Sequence, residues 1–129
     1  MRDAIRKVQQ FHEAFELTVN DAPTGDIPAE LRALRIRLLE EELEEYREAS
    51  ASGDVVAVAD ALTDLAYVLF GTFVTHGLQD SADALFDEVH RSNMSKLDQD
   101  GRPIYREDGK VLKSARFSEP DLGAILAPI

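Results

Sequence analysis

Residues 55–76 read VVAVADALTDLAYVLFGTFVTH, an almost wholly apolar run without Lys or Arg, broken by two carboxylates, Asp60 and Asp64, one helical turn apart. Its length exceeds that of a buried strand and points to a helix. The run is also long enough to cross a bilayer, but each central Asp would cost about 2.5–3.5 kcal/mol on insertion scales. The expectation is therefore the buried core helix of a globular protein. Asp54 stands at its start as an N-cap, and Gly77 is placed to end it.

Working outward, residues 28–53 form a second helical pattern, with Pro28 in its first turn and Gly53 to close it. Residues 2–20 form a first helix, with Ile5, Val8, Phe11, Phe15 and Val19 recurring every three or four positions before the turn-rich stretch from Asn20 to Gly25. Ser81 caps a fourth helix reaching about Ser95, with Ala84, Leu85, Val89 and Met94 inward. Short apolar pieces around Asp108-Gly109 signal a hairpin between residues 103 and 112. The apolar end of the chain, residues 122–129, is expected to pack on its own subunit or on a neighbour. The fold class is all-α: an antiparallel four-helix bundle-like core over residues 2–96, then a small β-hairpin and an extended tail over 97–129, in one domain of 129 residues.

Twenty-five acidic residues against fourteen basic ones give a formal net charge of -11. That balance argues against a nucleic-acid polymer as partner, since a phosphate backbone needs clustered Lys and Arg. A free nucleotide remains compatible, because a divalent cation screens its phosphates. There are no cysteines, which excludes disulfides, thiolate catalysis and Cys-based zinc sites. No basic segment followed by an apolar run opens the sequence, so the expected location is cytoplasmic, with no membrane partner. The apolar tail points to a homodimer or homotetramer.

The carboxylates carry the chemistry. Residues 40–45 read EEELEE. Each helical residue advances about 100°, so with Leu38 at zero Glu42 falls near 40° and Glu45 near -20°. Both lie on the apolar face with Leu34, Leu39 and Tyr46, whereas Glu40, Glu44 and Arg47 point to solvent and Glu41 sits at the edge. Asp60 and Asp64 share one face of the next helix. Two readings compete: inward acids satisfied by Arg, Lys, hydroxyls or amides of another helix, or Glu42, Glu45, Asp60 and Asp64 converging on Mg²⁺ or Mn²⁺. Basic residues are scarce, which favours the metal. A di-iron bundle would want Glu-x-x-His from two helices, and only Asp87-Glu88-Val89-His90 comes near it. His90, His12 and His76 are expected in packing or surface roles. Phe11, Phe15, Tyr67 and Phe70 read as core aromatics more than as stacking surfaces.

The segment from Leu38 to Ala49, LLEEELEEYREA, followed by ADALTDLAYV from Ala59 to Val68, resembles the all-alpha nucleoside triphosphate pyrophosphohydrolases, the superfamily of MazG, dimeric dUTPases and phosphoribosyl-ATP pyrophosphohydrolase. HRSNMSK from His90 and DGKVLK from Asp108 resemble its phosphoribosyl-ATP pyrophosphohydrolase-like branch, and the similarity spans residues 11 to 126. The family's EExxE element falls on Glu41, Glu42 and Glu45, and the Asp of its ExxD element on Asp64. Ala61 occupies the place of that element's Glu, with Asp60 the nearest carboxylate. The resemblance implies Mg²⁺ bound by Glu42, Glu45, Asp60 and Asp64, catalytic roles for Glu41 and Glu42 with Glu41 on the attacking water, and substrate contacts from Asn93, Lys96 and Lys113. Arg91 and Lys110 lie among the same cations.

The function implied is Mg²⁺-dependent hydrolysis of a nucleoside triphosphate, a dNTP or a non-canonical NTP, to monophosphate and pyrophosphate. Phosphoribosyl-ATP is a narrower alternative. From another class comes a non-catalytic acidic helical module that docks a basic protein through the outward Glu40, Glu44 and Glu48.

Overall fold

The structure, a computed structural model, describes residues 1–127. The last two positions of the apolar tail, Pro128 and Ile129, lie outside the described residues. The protein is mostly helical with one two-stranded hairpin, the class the sequence implies. It falls into two compact units, Met1–Asp80 and Ser81–Ile129.

The first unit holds α1 (Arg2–Ala14), α2 (Ala29–Ser52) and α3 (Val55–Thr75). Between α2 and α3 only Gly53 and Asp54 intervene, so the two helices run antiparallel along one another. Gly53 takes the left-handed conformation at φ 71° that ends α2, and the Asp54 carboxylate accepts the Val56 N–H at 3.0 Å to start α3. Helix α3 packs along α2 and on α1. Ile5 and Val8 of α1, Ile27, Ala49 of α2, and Ala61 and Val74 of α3 are buried.

Helix α1 ends at Ala14, six residues before the expected Asn20. Glu16 adopts φ 59°, the Leu17 N–H bonds back to the His12 carbonyl at 2.7 Å, and the His12 ring nitrogen Nδ1 pairs with the Thr18 carbonyl at 2.9 Å. The chain then crosses to the end of α3. There the Asn20 N–H donates to the Val74 carbonyl and its side-chain amide to the Thr75 carbonyl.

The expected buried core helix is not buried within a single chain. Helix α3 is long and apolar enough to cross a membrane by length and composition, yet 11% of its apolar window is buried. One side rests on α2 and α1, while Val55, Val56, Leu62 and Leu69 remain exposed. An apolar groove of about 350 Å³ lies between Ile36, Leu39 and Leu43 of α2 and Leu65 of α3.

The second unit contains α4 (Ala82–Met94), β1 (Ile104–Tyr105), β2 (Val111–Leu112) and α5 (Leu122–Leu126). Ser81 stands at the N-cap position of α4 but makes no side-chain capping bond. The buried residues of α4 are Ala82 and Ser92, while Ala84, Val89 and Met94 are exposed rather than inward. The strands pair antiparallel, Ile104 with Leu112 and Tyr105 with Val111, around the Asp108-Gly109 turn, and Arg106 pairs with Asp108. The tail is not extended: Asp121 accepts the Ala124 N–H at 3.1 Å and starts a short helix, α5. That segment is tied back to α4, because Glu88 binds both the Arg91 guanidinium and the Asp121 N–H.

Two glycines test this account of the helix ends. Gly53→Ala meets open space at φ +71° and should cost about 1–2 kcal/mol, the price of a left-handed L residue. In Gly77→Ala at φ +70°, the new Cβ would also collide with the Ala22 carbonyl. Urea melts should therefore show the larger loss for Gly77→Ala, and equal losses would refute the packing of residues 20–25 against the end of α3.

Candidate metal centre

The inner stripe of α2 advances by alternating steps of four and three residues through Leu31, Arg35, Leu38, Glu42, Glu45 and Ala49. Arg35 and Ala49 on it are buried. The antiparallel turn at Gly53-Asp54 lays this stripe against Ala57, Ala61, Asp64, Val68 and Thr72 of α3. Two glutamates and one aspartate are thereby delivered to one place. A carboxylate oxygen from each of Glu42, Glu45 and Asp64 lies within 4.8 Å of the others.

The electrostatics of that trio are unfavourable as it stands. Burial pushes the Glu42 carboxyl above the usual carboxylate range, and the charges of Glu45 and Asp64 push it further in the same direction, with a hydrogen bond to Glu45 and the charge of Glu41 adding to the effect. Glu42 Oε2 is buried and has no hydrogen-bond partner. Among the described residues no Lys or Arg forms an ion pair with any of the three acids. The reading in which a basic residue satisfies them therefore fails. An orphaned buried oxygen, three converging hard donors and no protein cation fit a divalent ion such as Mg²⁺ or Mn²⁺.

Asp60 is not brought into the trio. It lines an adjoining cavity of about 320 Å³ with Glu45, Glu48, Ala49, Ser52, Ala57 and Ala61. Ala61, standing where the family pattern has Glu, is buried beside it. Glu41 is exposed and outside the trio, although its charge acts on Glu42. Glu40, Glu44 and Glu48 are exposed, and Glu44 pairs with Arg47 at 3.3 Å.

In the second unit Asn93 is exposed and its carbonyl accepts the Lys96 N–H at 3.1 Å. The Lys113 ammonium sits 4.7 Å over the Phe117 ring. Arg91 is engaged by Glu88 and the Glu119 carbonyl. A cavity of about 510 Å³ in this unit is lined by Arg91, Met94, Ser95, Leu97, Asp98 and Arg116 among others, and by none of Asn93, Lys96 and Lys113.

Two features escaped the sequence reading. Phe11, expected in the core, stands partly exposed at the centre of an aromatic cluster, 4.5 Å from Phe15 and edge-on to Tyr67 at 5.6 Å. Phe15 and Tyr67 are exposed as well. The second is Arg35, buried with its Nε donating to the Thr72 hydroxyl at 3.2 Å and its Nη2 to the Val68 carbonyl at 2.7 Å. Its place on the glutamate stripe was the available signal, about 20° from Glu42 around the helix axis.

A family model described as phosphoribosyl-ATP pyrophosphohydrolase matches residues 8–93, from Val8 in α1 to Asn93 in α4. Lys96 and Lys113 fall beyond that match. No curated protein matches the chain.

The raised Glu42 group fixes a sign. The folded protein binds this proton more tightly than the unfolded chain, so metal-free stability falls as pH rises from the ordinary carboxylate range to the raised value. In EDTA, Glu42→Gln should melt above the parent protein at neutral pH, and the gap should close on acidification. Added Mg²⁺ should raise the melting temperature of the parent and not of the variant. A parent protein indifferent to both Mg²⁺ and Mn²⁺ would remove the metal centre.

Proposed function

The chain belongs to the phosphoribosyl-ATP pyrophosphohydrolase family, within the MazG-like nucleoside triphosphate pyrophosphohydrolases, and from that premise we propose that it hydrolyses a nucleoside triphosphate to monophosphate and pyrophosphate with Mg²⁺. It is a pyrophosphohydrolase acting on phosphoric anhydride bonds. The observation that carries the reading is the convergence of Glu42, Glu45 and Asp64 with the Glu42 Oε2 left unsatisfied.

When bound, the divalent ion supplies charge stabilisation on the phosphate oxygens and lowers the pKa of water. Glu42, Glu45 and Asp64 would hold it, with Asp60, from the adjoining cavity, as a further ligand. Glu41, exposed and outside the trio, is assigned to orienting or deprotonating the attacking water. Asn93, Lys96 and Lys113 are assigned to the substrate, the two lysines to the polyphosphate. Water attack at the α-phosphorus would release the monophosphate and pyrophosphate.

Substrate choice falls first on a canonical, deoxy or non-canonical NTP, because Ala61 departs from the family's second element and residues 94–129 extend past the family match. Phosphoribosyl-ATP, the substrate in the family's name, is the second reading. The acidic docking module loses ground, because the glutamates that converge are the inward pair and not Glu40, Glu44 and Glu48.

The uncovered sides of α2 and α3 complete the proposal. Ile36 and Leu43, which line the apolar groove, are exposed, as are Leu62 and Leu69 of α3. A second copy of the chain covers them better than lipid, given the insertion cost of Asp60 and Asp64. Whether the assembly is a dimer or a tetramer follows from sedimentation equilibrium, and a monomer at micromolar concentration would refute it.

A panel of NTPs, dNTPs, modified nucleotides and phosphoribosyl-ATP, incubated with Mg²⁺ or Mn²⁺, tests the reaction by separating pyrophosphate from orthophosphate. Glu42→Gln and Asp64→Asn should each lower turnover by more than about 100-fold, beyond the loss typical of outer-shell partners. Glu40→Gln and Glu44→Gln should remain near the parent rate. Orthophosphate with a nucleoside diphosphate would overturn the assigned reaction.

A further inference from the structure

Arg35 is a cation taken out of water without an anion to meet it. It is 7% exposed, and among the described residues it forms no ion pair. Burial pulls its pKa down, and no charge partner opposes the shift. Taking an unpaired charge out of water costs several kcal/mol, and an apolar side chain of similar size would avoid that cost. What the guanidinium provides in return is geometry. Its two bonds grip successive turns of α3, the Val68 carbonyl through Nη2 and the Thr72 hydroxyl through Nε. The Thr72 hydroxyl is itself fixed, donating to the same Val68 carbonyl at 2.9 Å.

A second observation marks the same point from the other helix. Gly71 sits inside α3, where glycine costs about 1 kcal/mol relative to Ala and no positive φ calls for it. A Cβ at Gly71 would lie 2.6 Å from Arg35 Nη2 and 2.8 Å from His12 Nε2. Only at this residue does α3 open space for the guanidinium and the imidazole together. His12, buried, has its pKa lowered chiefly by that burial, with the Arg35 charge acting in the same direction. With Nδ1 facing the Thr18 carbonyl, the neutral ring turns its other nitrogen toward Gly71 and Arg35.

The Gly53-Asp54 turn and the Asn20 bonds hold the two ends of α3, and such a device adds a fixed point along the seam between them. Most of its apolar surface is not covered in the chain, and a seam of Leu, Ala and Val side chains tolerates sliding of one helix past another. A slip of one turn moves a residue by about 5.4 Å, more than the 4.8 Å that holds Glu42, Glu45 and Asp64 together. Arg35 and Glu42 are two turns apart on one stripe of α2, and their contacts on α3, Thr72 with Val68 and Asp64, follow in matching order.

We infer that Arg35, seated on Gly71 and held by Thr72 and Val68, is a positioning residue that sets the register of α3 against α2 and so holds Asp64 opposite Glu42 and Glu45. The inference rests on the metal reading for its consequence in activity, but the register itself is measurable without metal. Arg35→Met keeps the length and removes the buried charge and both bonds. Its melting temperature should stay within a few degrees of the parent or rise, while its affinity for Mn²⁺ alone, measured by calorimetry, should weaken by roughly tenfold or more. Thr72→Val, which removes one acceptor and preserves shape, should show the same split to a smaller degree.

The chain has no cysteine, so Arg47→Cys with Thr63→Cys, both at exposed positions, gives a clean spin-label pair reporting α2 against α3. In EDTA the parent should show one narrow distance and Arg35→Met a broadened or shifted one. Native Mn²⁺ affinity and an unchanged distance in Arg35→Met would overturn the inference. If Arg35→Met does not fold, Thr72→Val decides alone, and parent-like affinity and distance there would overturn it equally. A parent protein that binds no Mn²⁺ while the label distance still depends on Arg35 would sink the metal reading and leave the register role standing.

Discussion

Everything in the first unit turns on three carboxylates that repel one another and are nevertheless held together. Glu42, Glu45 and Asp64 are delivered by two long helices joined through two residues, so their meeting point is decided by the alignment of α2 and α3. The repulsion is visible in Glu42, whose carboxyl is driven toward its protonated form by burial and by its neighbours. Such an arrangement costs stability in the metal-free chain, a cost that a cation bound as proposed would offset.

Much of this was legible in the sequence. The lengths of α2 and α3, the Gly53-Asp54 turn and the inward position of Glu42 and Glu45 all follow from periodicity and cap chemistry, because they are local properties. The match over residues 8–93 agrees with the family that the EExxE pattern and the final Asp of the second element suggested. Asp60 shows the limit of that method. It shares a face with Asp64 on a helical wheel, yet the structure places it at the neighbouring cavity beside Glu48, because a one-turn offset along the seam decides which acids meet.

The misreadings have physical causes of the same kind. A helix as apolar as α3 reads as core, but apolarity tells that a surface must be covered and not what covers it. Most of α3 is left open within one chain. The early end of α1 is set by His12 pairing with the Thr18 carbonyl six residues on and by Asn20 reaching Val74 and Thr75, the latter across more than fifty residues, which no local pattern encodes. Arg35 stands between Arg32 and Arg37 in a stretch with three arginines, and nothing in the local pattern marks which of the three is buried. Gly71 was overlooked because a helical glycine gives no hint of what presses against it.

The two-residue connection between α2 and α3 also orders events in time. Contacts along this pair close short loops, and local contacts form early, on the microsecond scale of helix growth and loop closure. The strap that joins Asn20 to Thr75 spans 55 positions and must come later. During synthesis, the three carboxylates would thus gather while the segment carrying Asn93, Lys96 and Lys113 is still being made. If the trio binds the cation as proposed, ion capture and folding of this unit would become a single coupled event.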